Sequence, residues 1–234
     1  MTSKYLYLTI DLVSFIFPFA ASFYKKAPFY KQWKYLGISL AIIAGLFIIW
    51  DEIFTRLGVW GFREQYITGL HIGSLPLEEV LFFFCIPYAC VFTYFALQHL
   101  IEKDVLFPHH ELISSVLIIT LLISAIYNIE KIYTAITFIS LALFLAFQML
   151  KLRPRYMGRF YLAYAVLLIP FLIVNSILTG SFIDNEVVWY NDQHNLGIRL
   201  GTIPIEDFFY SMLLMLLTIS LMEWLEERAY YKNK

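Results

Sequence analysis

The stretch Gly69-Leu70-His71-Ile72-Gly73-Ser74-Leu75-Pro76-Leu77-Glu78-Glu79 decides how this chain is read, because the chain contains it twice. The second copy is Gly197-Ile198-Arg199-Leu200-Gly201-Thr202-Ile203-Pro204-Ile205-Glu206-Asp207, aligned without a gap at an offset of 128 residues. Both glycines, the proline and one glutamate are identical, and the remaining pairs are of like chemistry. Upstream, Gln65 and Gln193 fall in register, as do the acids Glu64 and Asp192. Downstream, Phe82-Phe83 follow one acid pair and Phe208-Phe209-Tyr210 the other. An internal repeat of this kind takes precedence over other signals, and a functional reading has to explain why two acid pairs occupy matched places.

Around the copies the chain is 60% hydrophobic with a mean hydropathy of +0.70, outside the soluble globular range. The apolar residues come in runs of about 20 separated by charged breaks, which is what a hydrocarbon core of about 30 Å asks of a spanning helix. Seven spans are expected, at 5–24, 35–54, 76–97, 111–128, 132–150, 160–179 and 204–224. The fold class is therefore an all-α integral membrane protein. The first run offers small residues at Ala20-Ala21-Ser22, as a cleaved signal would, but Lys25-Lys26 follow it and only Lys4 precedes it, so it reads as a retained helix.

Basic residues orient the spans. The amino terminus and the loops after spans two, four and six carry five (Lys4, Arg56, Arg63, Lys131, Arg199), and the other loops with the carboxyl tail carry twelve. The richer side is expected to be cytoplasmic, with the amino terminus outside and the carboxyl terminus inside. Both motif copies then enter a span, the third and the seventh, from the outer side. The repeat is parallel, pairing spans one to three (1–100) with spans five to seven (131–234), and span four (101–130) is the connector. The loops before the motifs are long and hold Trp60, Phe62, Tyr66, Trp189 and Tyr190; that aromatic content argues for packed lids over disordered chain.

A proline at a helix start with an acid close behind is ordinary helix-start chemistry. Here, however, the acids lead straight into apolar spans, where an ionisable group is costly and by default functional. Two neighbouring acids in such a setting repel, which favours a retained proton, and a retained proton is what a general acid needs. Glu78 shares a helix face with Phe82 and Cys85, and Glu206 with Tyr210 and Leu213. Glu79 and Asp207 point about 100° away. An aromatic ring one turn from an acid packs a span and can also steady a carbocation. Asp51 and Asn175 each lie near the end of the span before a motif loop, with Thr55 and Thr179 four residues on; interhelical hydrogen bonding and a substrate role both fit them. Asp11 is a lone acid in span one, a proton relay or a buried neutral acid. The GxxxG spacing in each copy reads as tight turning or close backbone packing.

Several chemistries are missing from the sequence. There is no GxGxxG after a strand, no GxxxxGK[ST] and no HExxH. His109-His110 has no further ligands at metal-binding spacing, so no metal is expected, and no cofactor. Near-zero net charge gives no sign of nucleic acid. Cys85 and Cys90, five apart in one run, fall on different helix faces and read as plain thiols. Span seven contains no lysine for a retinal Schiff base.

The doubled Gly-x-x-x-Gly-x-x-Pro-[LI]-Glu-[ED] motif, the upstream Gln65 and Gln193, and the trailing aromatics resemble the membrane-embedded lycopene cyclases of the heterodimeric or fused-subunit type. The similarity is to the fused form over nearly the whole chain. It implies a carotenoid substrate, lycopene, and a redox-neutral, acid-initiated closure of its end groups to β-rings through a carbocation, with no cofactor. It further implies Glu78, Glu79, Glu206 and Asp207 as the catalytic acids and Phe82, Tyr210, Asp51, Asn175, Gln65 and Gln193 as substrate-binding residues. The expected setting is a bacterial cytoplasmic membrane, with the lipid bilayer and other carotenoid-pathway enzymes as partners. Asp207 departs from the first copy's Glu79, and the shorter acid reaches less far, so the two copies need not play equal roles. Two other readings stay open on sequence alone: a proton-coupled transporter, and a non-catalytic carotenoid-binding subunit whose acids merely cap helices.

Overall fold

The computed structural model describes residues 3–232; Lys234, counted above in the basic tail, lies outside them. Seven α-helices account for the apolar runs: α1 (Leu6–Ala21), α2 (Trp33–Arg56), α3 (Leu77–Leu100), α4 (His110–Tyr127), α5 (Ile132–Phe147), α6 (Met157–Leu178) and α7 (Ile205–Lys232). Six of them, with their flanking turns, are long and apolar enough to cross a membrane. The first, at 16 residues, covers about 24 Å at 1.5 Å per residue, short of a full core. The last runs eight residues beyond its expected end, because Glu226, Glu227 and Arg228 continue the helix past the apolar run. Large apolar side chains face outward all along the helices, among them Ile16, Phe17, Ile49, Ile119, Ile126, Ile169 and Ile173. A helix satisfies its own backbone, so such a surface suits lipid.

Six short strands interrupt the helical chain: β1 (Trp60–Phe62), β2 (His71–Ile72), β3 (Leu75–Pro76), β4 (Val188–Tyr190), β5 (Arg199–Leu200) and β6 (Ile203–Pro204). They lie in the two pre-motif loops and in the motifs themselves, which apolar periodicity alone does not mark as strands.

The described residues fall into two compact units. One comprises residues up to Leu57, Phe62–His99 and the chain from Leu214 on. Its interior holds Tyr7, Leu36, Phe47, Phe83, Val91 and Tyr94. Polar ties join its helices: Ser39 Oγ donates to Thr218 O at 2.6 Å and Tyr94 Oη to Glu223 Oε1 at 2.8 Å. In lipid such packing and hydrogen bonding hold helices together, since burial from water supplies little. The other unit comprises Gly58–Gly61 and Leu100–Leu213. There α4 and α5 form a tight hairpin through Asn128–Lys131, and Ser114 Oγ and Tyr161 Oη, 2.7 Å apart, tie α4 to α6. Phe138, Leu141, Phe160 and Ala163 fill the interior.

Candidate active site

Each motif is a miniature hairpin feeding a helix. His71 pairs with Pro76 and Ile72 with Leu75; Arg199 pairs with Pro204 and Leu200 with Ile203. The two-residue turns are Gly73-Ser74 and Gly201-Thr202, with φ of 66° at Gly73 and 64° at Gly201. A tight hairpin turn needs this left-handed conformation at its first central residue, and glycine adopts it without strain. The GxxxG spacing thus serves turning. The strand then hands over to the helix: Leu77 N–H donates to Leu70 O at 2.8 Å, and Ile205 N–H to Ile198 O at 3.0 Å. Glu78-Glu79 and Glu206-Asp207 consequently land in the first turns of α3 and α7, at the positive ends of the helix dipoles.

The hairpin turns are anchored differently in the two units. In the first, Glu52 on α2 accepts Ser74 N–H at 2.8 Å and is paired with Arg56 at 2.6 Å. In the second, Thr202 Oγ1 lies 2.6 Å from Thr179 Oγ1 and 2.8 Å from Ser181 Oγ. The strand residues follow suit. His71 lies 3.6 Å from Glu64, and its counterpart Arg199 reaches Asp192 at 2.6 Å. Partial burial works against the charge of Asp192, but hydrogen bonds from Arg199 and Asn195, with the Arg199 and Lys131 charges, outweigh it and hold its carboxyl below the usual range.

The first acid of each pair reaches back to the preceding loop. Glu78 Oε1 accepts Thr68 N–H at 2.7 Å, and Glu206 Oε1 accepts Leu196 N–H at 2.7 Å. Thr134 on α5 adds its hydroxyl to Glu206 Oε1 at 2.6 Å. In both residues the other oxygen, Oε2, is buried with no hydrogen-bond partner among the described residues. The side chains are shut away, at 1% exposure for Glu78 and 0% for Glu206.

The second acid of each pair is held by phenols. Tyr7 Oη donates to Glu79 Oε2 at 2.5 Å. Tyr133 Oη donates to Asp207 Oδ1 at 2.6 Å and Tyr190 Oη to Asp207 Oδ2 at 2.9 Å. The shorter acid thus takes two phenol donors, and aromatic rings gather beside it. Trp60 stands edge-on to Tyr133 (5.0 Å between centroids), Tyr190 (6.1 Å) and Tyr210 (6.2 Å). In the first unit Phe82 packs edge-on to Tyr7 at 6.3 Å. Ring faces beside a carboxylate in a closed space can steady a cation and then its loss of a proton.

Of the other expected residues, Asp51 is buried, within electrostatic reach of the Tyr7 hydroxyl. Asn175 is half-buried near the end of α6, its carbonyl accepting Thr179 Oγ1 at 2.7 Å. Gln65 is half-buried, whereas Gln193 is exposed on its loop. The neighbouring Asn195, not singled out from sequence, is the buried member of that loop: its Oδ1 accepts Gly197 N–H at 2.7 Å, framing the Leu196 amide that meets Glu206. Tyr7, Tyr133 and Thr134 also escaped sequence reading. Tyr7 and Tyr133 are repeat counterparts at an offset of 126, two short of the motif offset, and an alignment allowing that gap would have paired them.

Residues 4–97 and 130–225 match the family model described as lycopene cyclase, one stretch in each half of the repeat. No curated protein and no solved structure matches the chain.

Proposed function

Because the chain belongs to the lycopene cyclase family, and so to the carotenoid cyclases, we propose that it closes the acyclic ends of lycopene to β-rings, yielding γ-carotene where one end closes and β-carotene where both do. A carboxyl group gives its proton to the terminal double bond, and a tertiary cation forms. The nearby alkene attacks it, making the ring C–C bond, and a ring proton leaves to a carboxylate. Nothing is oxidised or reduced.

The observation that carries this reading is the half-tied carboxyl: Glu78 and Glu206 each anchor one oxygen and leave the other buried and partnerless. An oxygen without a donor is the one free to carry a transferable proton, so Glu78 and Glu206 take the roles of proton donor and charge stabiliser. Glu79 and Asp207, steadied by phenol hydrogen bonds, suit the accepting role. Phe82 in the first unit, with Trp60, Tyr133, Tyr190 and Tyr210 in the second, offers ring faces to a cation. The same reading keeps 1–100 and 131–234 as parallel repeats about a connector at 101–130, in a cytoplasmic membrane with the amino terminus outside.

A second reading is favoured by the same bonds to Thr68 and Leu196: the acids would be loop clamps in a carotenoid-binding subunit without activity. Expression in a lycopene-accumulating bacterial host, with pigments separated chromatographically, decides between them. The cyclase reading expects ring-bearing carotenoids; membrane-inserted protein with lycopene unchanged would sink it.

A further inference from the structure

A third acid lies beside the first pair. Asp11 sits on α1 one turn beyond Tyr7, is fully buried, and has no hydrogen-bond partner on either carboxyl oxygen among the described residues. The groups within its electrostatic reach are Glu79, Glu78, the Tyr7 hydroxyl and Cys85. Among the described residues these include no cation. An unpaired buried charge is costly, so a carboxyl in this place is suited to exchanging a proton and not to forming an ion pair.

The repeat supplies its own control. Tyr7-Leu8-Thr9-Ile10-Asp11 aligns with Tyr133-Thr134-Ala135-Ile136-Thr137, the register being set by the two tyrosines that hold the second acids. Thr137 is fully buried and its hydroxyl too has no partner. The frame therefore accepts a threonine here, and packing does not require a carboxyl.

We propose that Asp11 returns the proton between turnovers in the first unit. Closing a ring leaves Glu78 as a carboxylate and Glu79 as an acid, the mirror of the starting state. Glu78 and Glu79 are adjacent on one helix and point about 100° apart. They are 1% and 8% exposed, so bulk water has little access to them. Asp11, protonated at rest, gives its proton to the Glu78 carboxylate and takes the one on Glu79 through a bridging water, since neither of its oxygens is within hydrogen-bond distance of either glutamate. Each carboxyl ends as it began, and Asp11 acts through the two glutamates without touching the polyene.

This rests on the cyclase reading, and the experiment separates the two. Purified protein in liposomes is given lycopene, first with enzyme in excess and then with lycopene in excess, and the rings are counted by chromatography. For Asp11→Asn and Asp11→Thr the first closure should stay within about twofold of the parent, while steady-state turnover should fall at least about 10²-fold, the low end of what positioned proton transfer contributes. Asp11→Glu should restore turnover. Steady-state rates for the Asn and Thr variants near the parent's, or equal losses in both phases, would overturn the proposal. The absence of any ring from the parent protein would instead overturn the cyclase reading. Thermal melting of each variant reports folding, and Asp11→Thr carries the residue the second unit already tolerates.

Discussion

Replacing Glu206 by glutamine separates chemistry from clamping. Glu206 Oε1 accepts two donors, the Leu196 amide and the Thr134 hydroxyl, and an amide oxygen can accept both. The new NH2 falls where the protonated Oε2 is already a buried, partnerless donor, so the exchange adds one further unsatisfied N–H, at most about 1–3 kcal/mol. The protein should therefore fold and insert with a modestly lowered melting point. Ring formation should fall about 10²–10⁴-fold, the usual contribution of a positioned general acid, or about 3–5 kcal/mol on the barrier. Glu206→Ala is the contrast. It strands both donors, at about 1–3 kcal/mol each, and should destabilise the unit as well as silence it. Glu78 clamps the Thr68 amide alone, so Glu78→Ala should be milder than Glu206→Ala by about one such bond. The assay is pigment chromatography from a lycopene-accumulating host, normalised to inserted protein, with melting curves in detergent. If Glu206→Gln forms rings at the parental rate while Glu206→Ala fails only in proportion to its lost stability, the acid is a clamp and the reasoning fails.

Other perturbations read other parts of the site. Tyr133→Phe and Tyr190→Phe each remove one phenol donor from Asp207, and each should slow ring formation by about tenfold, corresponding to about 1.5 kcal/mol for a hydrogen bond to a charged group; unchanged steady-state rates in both would show that these bonds do not matter to the reaction. Gly73→Ala should lower the melting temperature more than Gly201→Ala. Both force alanine into a left-handed turn at about 1–2 kcal/mol, but the added carbon at Gly73 would also meet the Glu52 carboxylate at 2.8 Å, while at Gly201 it meets nothing within 4 Å. Equal melting shifts would contradict the Glu52 anchor. Finally, because the folded pKa of Asp192 is lowered, its pairing with Arg199 stabilises the loop above the ordinary carboxylate range and is lost as pH falls through the folded value. Both groups are partly exposed, so the effect is about 0.2–1 kcal/mol, and melting curves for Arg199→Ala should converge with the parent's on acidification.

What was legible in the sequence follows a physical line. Residues that shape the backbone announce themselves: Gly73, Gly201, Pro76 and Pro204 recur because a tight turn and a helix start demand them, and Glu78 and Glu206 recur beside them. The apolar runs announce the helices for the same reason, since any spanning helix must satisfy its own backbone and face lipid. The groups that hold the acids carry no such mark. Tyr7 and Tyr133 are single residues in apolar helices 72 and 74 positions from their carboxylates, and their meeting depends on how α1 and α5 pack. The frame is thus duplicated while its fillings diverge. Where the first unit has Leu8 and Asp11 the second has Thr134 and Thr137, and where the first has Phe62 and Phe82 the second has Tyr190 and Tyr210. Thr134 and Tyr190 donate to the second pair, whereas Asp11 brings a further acid to the first. Two copies of one scaffold have therefore come to hold their carboxyls in unlike surroundings: a third buried acid stands with the first pair, and the Thr134 and Tyr190 hydroxyls with the second.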